Sequence, residues 1–391
     1  MKTRIASIDI FRALTMLLMI FVNDLWTLHG IPQWLEHTTA EEDGMGLADV
    51  VFPAFLFIVG LSIPFAIKAR LSQGDSRPRV LVHILRRTLA LVVMGFFMVN
   101  QENYRSDVPQ FIRSAWEVLM IFAFLLIWNN YEKDKILGKI PVWILQSTGI
   151  LLLFLLALIY KGGTPGEPSW MSPHWWGILG LIGWAYFVCS ILYLLAGSRL
   201  WLVIIFWIIL HLLNVQEFMP IDGTGRGFRI IVSASNHALV MSGVLATMIY
   251  IHFKNVNRKF LFPALLLIPA VISLVYGFGV RPFWGISKIL ATPSWTAICA
   301  GISYAVFALI YVISDIFHFT RWANIFMPAG RSTLTCYLVP GLVYPFLWPL
   351  QQLLPQSFLE GWTGLLKSLL FALFIILLTG LLEKIKIRLK I

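Results

Sequence analysis

Asp9 and Arg12 stand one helical turn apart at the head of the first long apolar run, and Ala48-Asp49-Val50-Val51-Phe52-Pro53 opens the next. An ionisable group in hydrocarbon costs about 2.5–3.5 kcal/mol on insertion scales, so it is kept for pairing or for function. Residues at i and i+3 are neighbours on a helix, so Asp9 and Arg12 read either as an ion pair locking the helix or as the charged mouth of a polar passage. Asn23 lies fourteen residues beyond Asp9, about 21 Å along a helix. One helix thus carries polar groups near both ends. Asn23 also reads as interhelical glue. Asp49 precedes a span, where a carboxylate caps the helix and suits its dipole. It could also orient a histidine and fix its tautomer.

Further polar groups sit beside or inside apolar runs. Arg86 and Arg87, next to His83, have the forked donors that grip phosphates, and they also fit as anchors at a membrane face. Arg113 and Glu117 have the i, i+4 spacing of an ion pair. Asn236 and His237 open another run. Lys288, close to Phe283 and Trp284, could contact a sugar or its anionic substituent. Trp170, Trp175, Trp176, Trp284 and Trp295 could stack on sugar faces or form an interfacial belt.

The elements that must position these groups are set by composition. Hydrophobic residues make up 59% and charged residues 13%, against about 25% charged in a soluble domain. About twelve runs of membrane-crossing length recur, near 8–29, 47–68, 80–99, 112–129, 140–160, 174–195, 198–214, 234–253, 260–280, 296–317, 331–350 and 362–383. They lack the period-2 alternation of barrel strands, so they are helices. The run 331–350 contains Pro340, Pro345 and Pro349. It is predicted to kink or to re-enter, and re-entry would leave eleven spans. The expected fold is all-α, a polytopic membrane bundle forming a single domain over 1–391.

Charge asymmetry orients the bundle. With the N-terminus in the cytoplasm, Lys2, Arg4, Lys68, Arg70, Arg77, Arg79, Arg86, Arg87, Lys133, Lys135, Lys139 and the basic stretch Lys384–Lys390 fall inside. Outward loops carry few basic residues, among them Arg105, Lys161, Arg226 and Lys288, and hold the acidic stretch Glu36–Asp43. The positive-inside rule then puts both termini in the cytoplasm. It also explains the net charge of +11 without nucleic acid. Met1–Ile5 and the run after it are too long and too charged for a signal peptide. Cys189, Cys299 and Cys336 have no metal or disulfide spacing, and no metal is expected.

Arg4-Ile5-Ala6-Ser7-Ile8-Asp9-Ile10-Phe11-Arg12, then Phe21-Val22-Asn23-Asp24, then Asp49-Val50-Val51-Phe52-Pro53-Ala54-Phe55-Leu56-Phe57-Ile58-Val59-Gly60 form a pattern over residues 4–62. It resembles the heparan-α-glucosaminide N-acetyltransferase family and its bacterial relatives, within the broader transmembrane acyltransferases. Lys288 with Trp295, and Met327-Pro328-Ala329-Gly330-Arg331-Ser332, look like further family positions. The resemblance implies acetyl transfer across a membrane, from cytoplasmic acetyl-CoA as cosubstrate to an extracytoplasmic amino sugar or glycan. It implies Asn23 and a loop histidine as the central polar pair, His37 being the candidate and His29 its competitor. The spacing between His37 and Asp49 is about two residues longer than the family's and holds no tryptophan.

The reading that follows is an acyl-CoA-dependent N-acetyltransferase of the bacterial cytoplasmic (inner) membrane, a homodimer being compatible with the resemblance. His37, Asn23 and Asp49 are its catalytic candidates. Asp9, Arg12, Arg86 and Arg87 are candidates for the CoA thioester; His29, Lys288 and Trp284 for the acceptor. His37 would remove a proton from the attacking amine or accept the acetyl group first. The alternative is a secondary transporter or flippase in which Asp9, Glu117 and Asp315 are coupling sites.

Overall fold

Unbroken apolar runs leave the backbone no partner but itself, and they wind into helices wherever they are long enough. The computed structural model describes residues 5–131, 140–219, 230–256, 258–351, 353 and 355–391. Of the basic residues used for orientation, Lys2, Arg4, Lys133, Lys135, Lys139 and Arg226 lie outside the described residues, as does Arg4 of the opening motif.

In chain order the helices are α1 (Ala6–Asp24), α2 (Leu47–Ser72), α3 (Arg77–Glu102), α4 (Gln110–Trp128), α5 (Val142–Leu158), α6 (Gly177–Ala196) and α7 (Leu200–Gln216). There follow α8 (Ala234–Phe253), α9 (Leu261–Trp284), α10 (Pro293–Tyr311), the short α11 (Met327–Arg331), α12 (Thr333–Gln351) and α13 (Gly361–Lys384). One hairpin, β1 (Gly162–Thr164) with β2 (Glu167–Ser169), decorates the loop before α6. Among the described residues nine helices are long and apolar enough to cross a membrane, and Val142–Leu158, Leu200–Gln216 and Thr333–Leu347 are shorter apolar helices. The chain is an all-α, multi-pass membrane protein. The proline-rich run keeps its helical winding as α12, and the break falls before it, at Ser332.

α8 is the central helix, buried along almost its whole length. It approaches α2 closely because Gly60 and Gly243 face each other; a Cβ on Gly60 would overlap the Val240 carbonyl, and one on Gly243 the Phe57 carbonyl. Small residues at such a crossing let two backbones pack directly. Thr247 Oγ1 fastens the same pair by donating to the Leu61 carbonyl at 2.8 Å.

α1, which carries the opening motif, is fixed at both ends. The Asp315 carboxylate, on the π-wound turn after α10, accepts from the Ala6 and Ser7 N–H groups at 2.9 Å each. That satisfies donors every helix start leaves open. At the other end buried Asp24 accepts from Tyr344 Oη at 2.7 Å and Ser368 Oγ at 2.6 Å, and pairs with Lys367 Nζ at 3.0 Å. The spacing of Arg113 and Glu117 predicts an ion pair, and the structure corrects this. Glu117 instead accepts from Gln101 Nε2 of α3 at 3.1 Å, and the Arg113 Nε is buried without a partner.

Candidate active site

The first site element is the loop that returns from α1 to α2. Gly46 is the N-cap of α2, and Asp49 occupies the third helical position. Asp49 is 1% exposed, and its Oδ2 accepts from Gly46 N at 3.1 Å, Thr38 N at 3.0 Å and Thr38 Oγ1 at 3.0 Å. The acid therefore caps its helix and also folds the preceding loop down on itself. That folding brings His37 onto the remaining oxygen, with Nδ1 2.6 Å from Asp49 Oδ1. Opposite an ionised carboxylate Nδ1 carries the proton and donates it, so Nε2 keeps its lone pair.

The second element is the loop from α9 to α10. Asp43 clamps it to the first: Arg281 Nε donates to Asp43 Oδ2 at 2.9 Å, and Ile286 N to Oδ1 at 2.7 Å. Burial alone would raise the Asp43 pKa, but the Ile286 N–H and the Arg281 guanidinium outweigh it and hold it below the ordinary carboxylate value. Gly285, at φ +63°, permits the sharp exit from α9. Thr292 then caps α10, its Oγ1 accepting from Trp295 N at 3.4 Å, and the same oxygen holds the loop by accepting from Ser287 N at 3.0 Å. Lys288 is thereby delivered to the histidine, its Nζ 3.0 Å from Nδ1, 3.4 Å from Nε2 and 3.7 Å from Asp49 Oδ1. Because Nδ1–H is engaged by Asp49, the hydrogen bond open to Lys288 is the one to Nε2. Burial pushes the Lys288 ammonium below the ordinary lysine value, and the Asp49 charge recovers part of that. Trp295 Nε1 donates to the Asp49 carbonyl at 3.1 Å and closes the group from beneath.

These residues open on a cavity of about 790 Å³ lined by Asn23, His37, Lys288, Asn236 and the rings of Trp175 and Trp295. That lies within the usual range of small-molecule sites, about 300–1,000 Å³. A second cavity, of about 340 Å³, lies further back along α1 and is lined by Arg12, Ser62, Arg87 and Arg331. Met19 and Ile178 line both, so the two spaces abut there. Arg12 reaches Ser62 Oγ at 2.8 Å and is braced by Asp9 at 3.3 Å. The Arg87 guanidinium sits 4.7 Å over the Tyr186 ring, with its Nε buried and unpartnered.

The structure brings His37, Asn23 and Lys288 to one cavity, with Asp49 buried behind His37, and Arg12 and Arg87 to the other. Asp9 stands behind Arg12, and Arg86 is exposed outside the lining. His29 is held elsewhere, its backbone bridged to Glu360, with its N–H donating to the Leu359 carbonyl at 2.9 Å. Trp284 ends α9 against Phe283 and does not line the larger cavity. Glu102 does line it, and shares with Asn23 a side cavity of about 240 Å³ that also holds Glu117. Sequence reasoning passed over Glu102. Its place as the last residue of α3, three residues past the apolar run 80–99, was the only signal. Asp24 was quoted within a motif but given no part, although its bonds to α12 and α13 fix the helix end that presents Asn23. Among the described residues no cluster of three or more His, Cys, Asp or Glu could hold a metal.

Residues 4–159 match the model of the heparan-alpha-glucosaminide N-acetyltransferase catalytic family. The human heparan-alpha-glucosaminide N-acetyltransferase is 37% identical over 101 residues, 26% of this chain and 14% of that protein. The mouse protein of the same name is 23% identical over 385 residues, 89% of this chain and 55% of that one. The chain thus spans about half the length of the mouse relative and a smaller part of the human one.

Proposed function

We propose that the chain is a member of the heparan-α-glucosaminide N-acetyltransferase family, which its residues 4–159 resemble, and that it transfers the acetyl group of acetyl-CoA to an extracytoplasmic amino sugar or glycan. The observation that carries this reading is the His37–Asp49–Lys288 group facing Asn23 across one cavity, with a basic cavity abutting it at Met19 and Ile178.

The basic cavity suits the anionic end of the donor. Its arginines offer forked donors to phosphate oxygens, and the buried Arg87 Nε lacks a protein partner. An extended thioester arm passing Met19 would bring its carbonyl beside Asn23 and His37. The acceptor nitrogen attacks the thioester carbon, the C–S bond breaks, and the thiolate leaves. As the Lys288 ammonium turns from Nε2 to the departing sulfur, the His37 Nε2 lone pair, set by the Asp49 bond, becomes free to take the proton of the attacking amine. The same lone pair would serve an acetyl-histidine route. The Asn23 amide donates to the oxygen that gains charge, a contribution typically worth about 10²–10³ in turnover. The Lys288 ammonium, 3.4 Å from Nε2, returns a proton toward the departing sulfur. Trp175, exposed at the cavity, offers a face to a sugar ring.

The basic cavity is assigned to the cytoplasmic face of a bacterial cytoplasmic membrane and the histidine to the outer face, following the loop charges. The test is radiolabelled acetyl-CoA with the full chain in vesicles and glucosamine as acceptor. Acetylated sugar is expected. His37→Ala abolishes it, and Asn23→Ala lowers it about 10²–10³-fold, with membrane insertion intact in both. Sugar uptake without acetylation would instead favour a transporter, and full activity in both variants would remove the site assignment.

A further inference from the structure

The segment after α13, residues 385–391, folds back across the bundle as a strap. Leu389 forms an antiparallel bridge with Asn129. The Arg388 N–H donates to Asn129 Oδ1 at 2.8 Å, the Leu389 N–H to Thr335 Oγ1 at 2.9 Å, and the Lys390 N–H to the Trp128 carbonyl at 2.9 Å. The Arg388 carbonyl in turn accepts from the Asn130 N–H at 2.8 Å. Three consecutive residues are thus fastened by their backbones to the end of α4 and the start of α12. Lys386, at φ +65°, makes the reversal that turns the chain back.

Backbone attachment leaves the side chains for something else. Arg388 and Lys390 line the basic cavity together with Arg12, Arg87 and Arg331, and among the described residues no acidic side chain lines it. Arg388 also donates to the Arg331 carbonyl at 2.6 Å. Glu383 stands behind the arginines, 3.5 Å from Arg331 and 3.9 Å from Arg388, and orients them without entering the cavity. Arg12, Arg331 and Arg388 are each braced by a carboxylate behind them, yet five cations facing one cavity against two such acids leave an excess of positive charge that suits an anion with several charges. The strap cations stand on a segment remote in sequence from the motif helices, so they can select a ligand's charged end independently of its reactive end.

We propose that this strap is the element that reads the phosphorylated nucleotide end of the donor, with Arg388 and Lys390 meeting its phosphates, so that a thioester lacking that end is discriminated against. The proposal rests on the acyltransferase reading for the identity of the donor, but its test does not need turnover.

The experiment measures binding of radiolabelled CoA to the full-length protein in detergent, with competition by unlabelled CoA and by pantetheine, which carries the same arm without phosphates. The intact protein is expected to prefer CoA by about 10²-fold or more. Each lost charge-assisted contact should cost about tenfold, so Lys390→Gln lowers the preference about tenfold and Arg388→Gln with Lys390→Gln about a hundredfold. Lys390→Gln alone keeps the test valid if the double variant fails to fold, because the Lys390 attachment seen here is through its backbone. No preference for CoA in the intact protein, or the same preference in Lys390→Gln, overturns the proposal. CoA binding that depends on the strap, without acetyl transfer to any amino sugar, would uphold it while the acyltransferase reading fails.

Discussion

Replacing Asp49 by asparagine keeps the volume of the side chain and removes one charge, so it separates the two duties of that residue. Three donors, Thr38 N, Thr38 Oγ1 and Gly46 N, converge on Oδ2. The amide oxygen of an asparagine keeps that side, and its NH₂ turns toward His37. Nδ1 must then accept a hydrogen bond, the ring proton moves to Nε2, and the lone pair needed for chemistry is gone. Losing the charge-assisted bond is worth about 1.5–3 kcal/mol, roughly tenfold to a hundredfold in rate. A wrong tautomer in the analogous arrangement of serine proteases costs about 10⁴. We therefore expect Asp49→Asn to lower acetyl transfer by about 10²–10⁴-fold while thermal stability falls little. The assay is the initial rate of radiolabelled acetyl transfer to glucosamine by purified protein, with a melting curve on the same sample. A variant turning over within about threefold of the parent, at unchanged melting temperature, would refute the tautomer argument.

Two further outcomes follow from the same geometry. The folded-state pKa of Lys288 is lowered from the ordinary lysine value of 10.5, first by burial. Between the lowered and the ordinary value the unfolded chain binds the extra proton, so stability should rise with pH across that window; the increment should vanish in Lys288→Met, as melting curves taken from neutral to alkaline pH would test. Equal slopes in both proteins would contradict the assigned burial. Gly60→Leu should separate α2 from α8 and destabilise the bundle by about 1–3 kcal/mol or more, lowering the melting temperature and, by shifting Asp49 at the head of α2, the transfer rate. An unaltered melting temperature would mean the close crossing at Gly60 and Gly243 is not needed.

The helices were legible because hydropathy acts locally: each run of apolar residues declares its own span whatever it packs against. Even the run with three prolines forms a helix, since the break moves to Ser332, where Met327-Pro328-Ala329-Gly330-Arg331 ends as a separate turn. Partnerships between spans were not legible in the same way. Asp315 has the look of an intramembrane coupling acid, yet its bonds are to the first N–H groups of α1, more than 300 residues earlier in the chain. Spacing alone pairs Glu117 with Arg113, but a residue on the neighbouring helix, Gln101, is better placed. At the candidate site, a helix-capping acid at Asp49 could be read from its position before a span. That the same acid would hold His37 depends on how the intervening loop closes, and Lys288 arrives from 251 positions away through the Asp43–Arg281 clamp. His29 and His37 look alike in the sequence; only the backbone bridge to Glu360 sets His29 apart from the cavity.

Met19 and Ile178, where the two cavities abut, carry an obligation of a different kind. On the acyltransferase reading proposed above, a donor arm would pass between the two cavities, and such a passage must still hold back protons and salt. Both residues are apolar, and narrow hydrophobic constrictions obstruct ions by shedding water. Methionine is also flexible enough to swing aside for a slim chain and close behind it. On that reading, apolar side chains at this point would let a membrane keep its gradients while group transfer proceeds inside it.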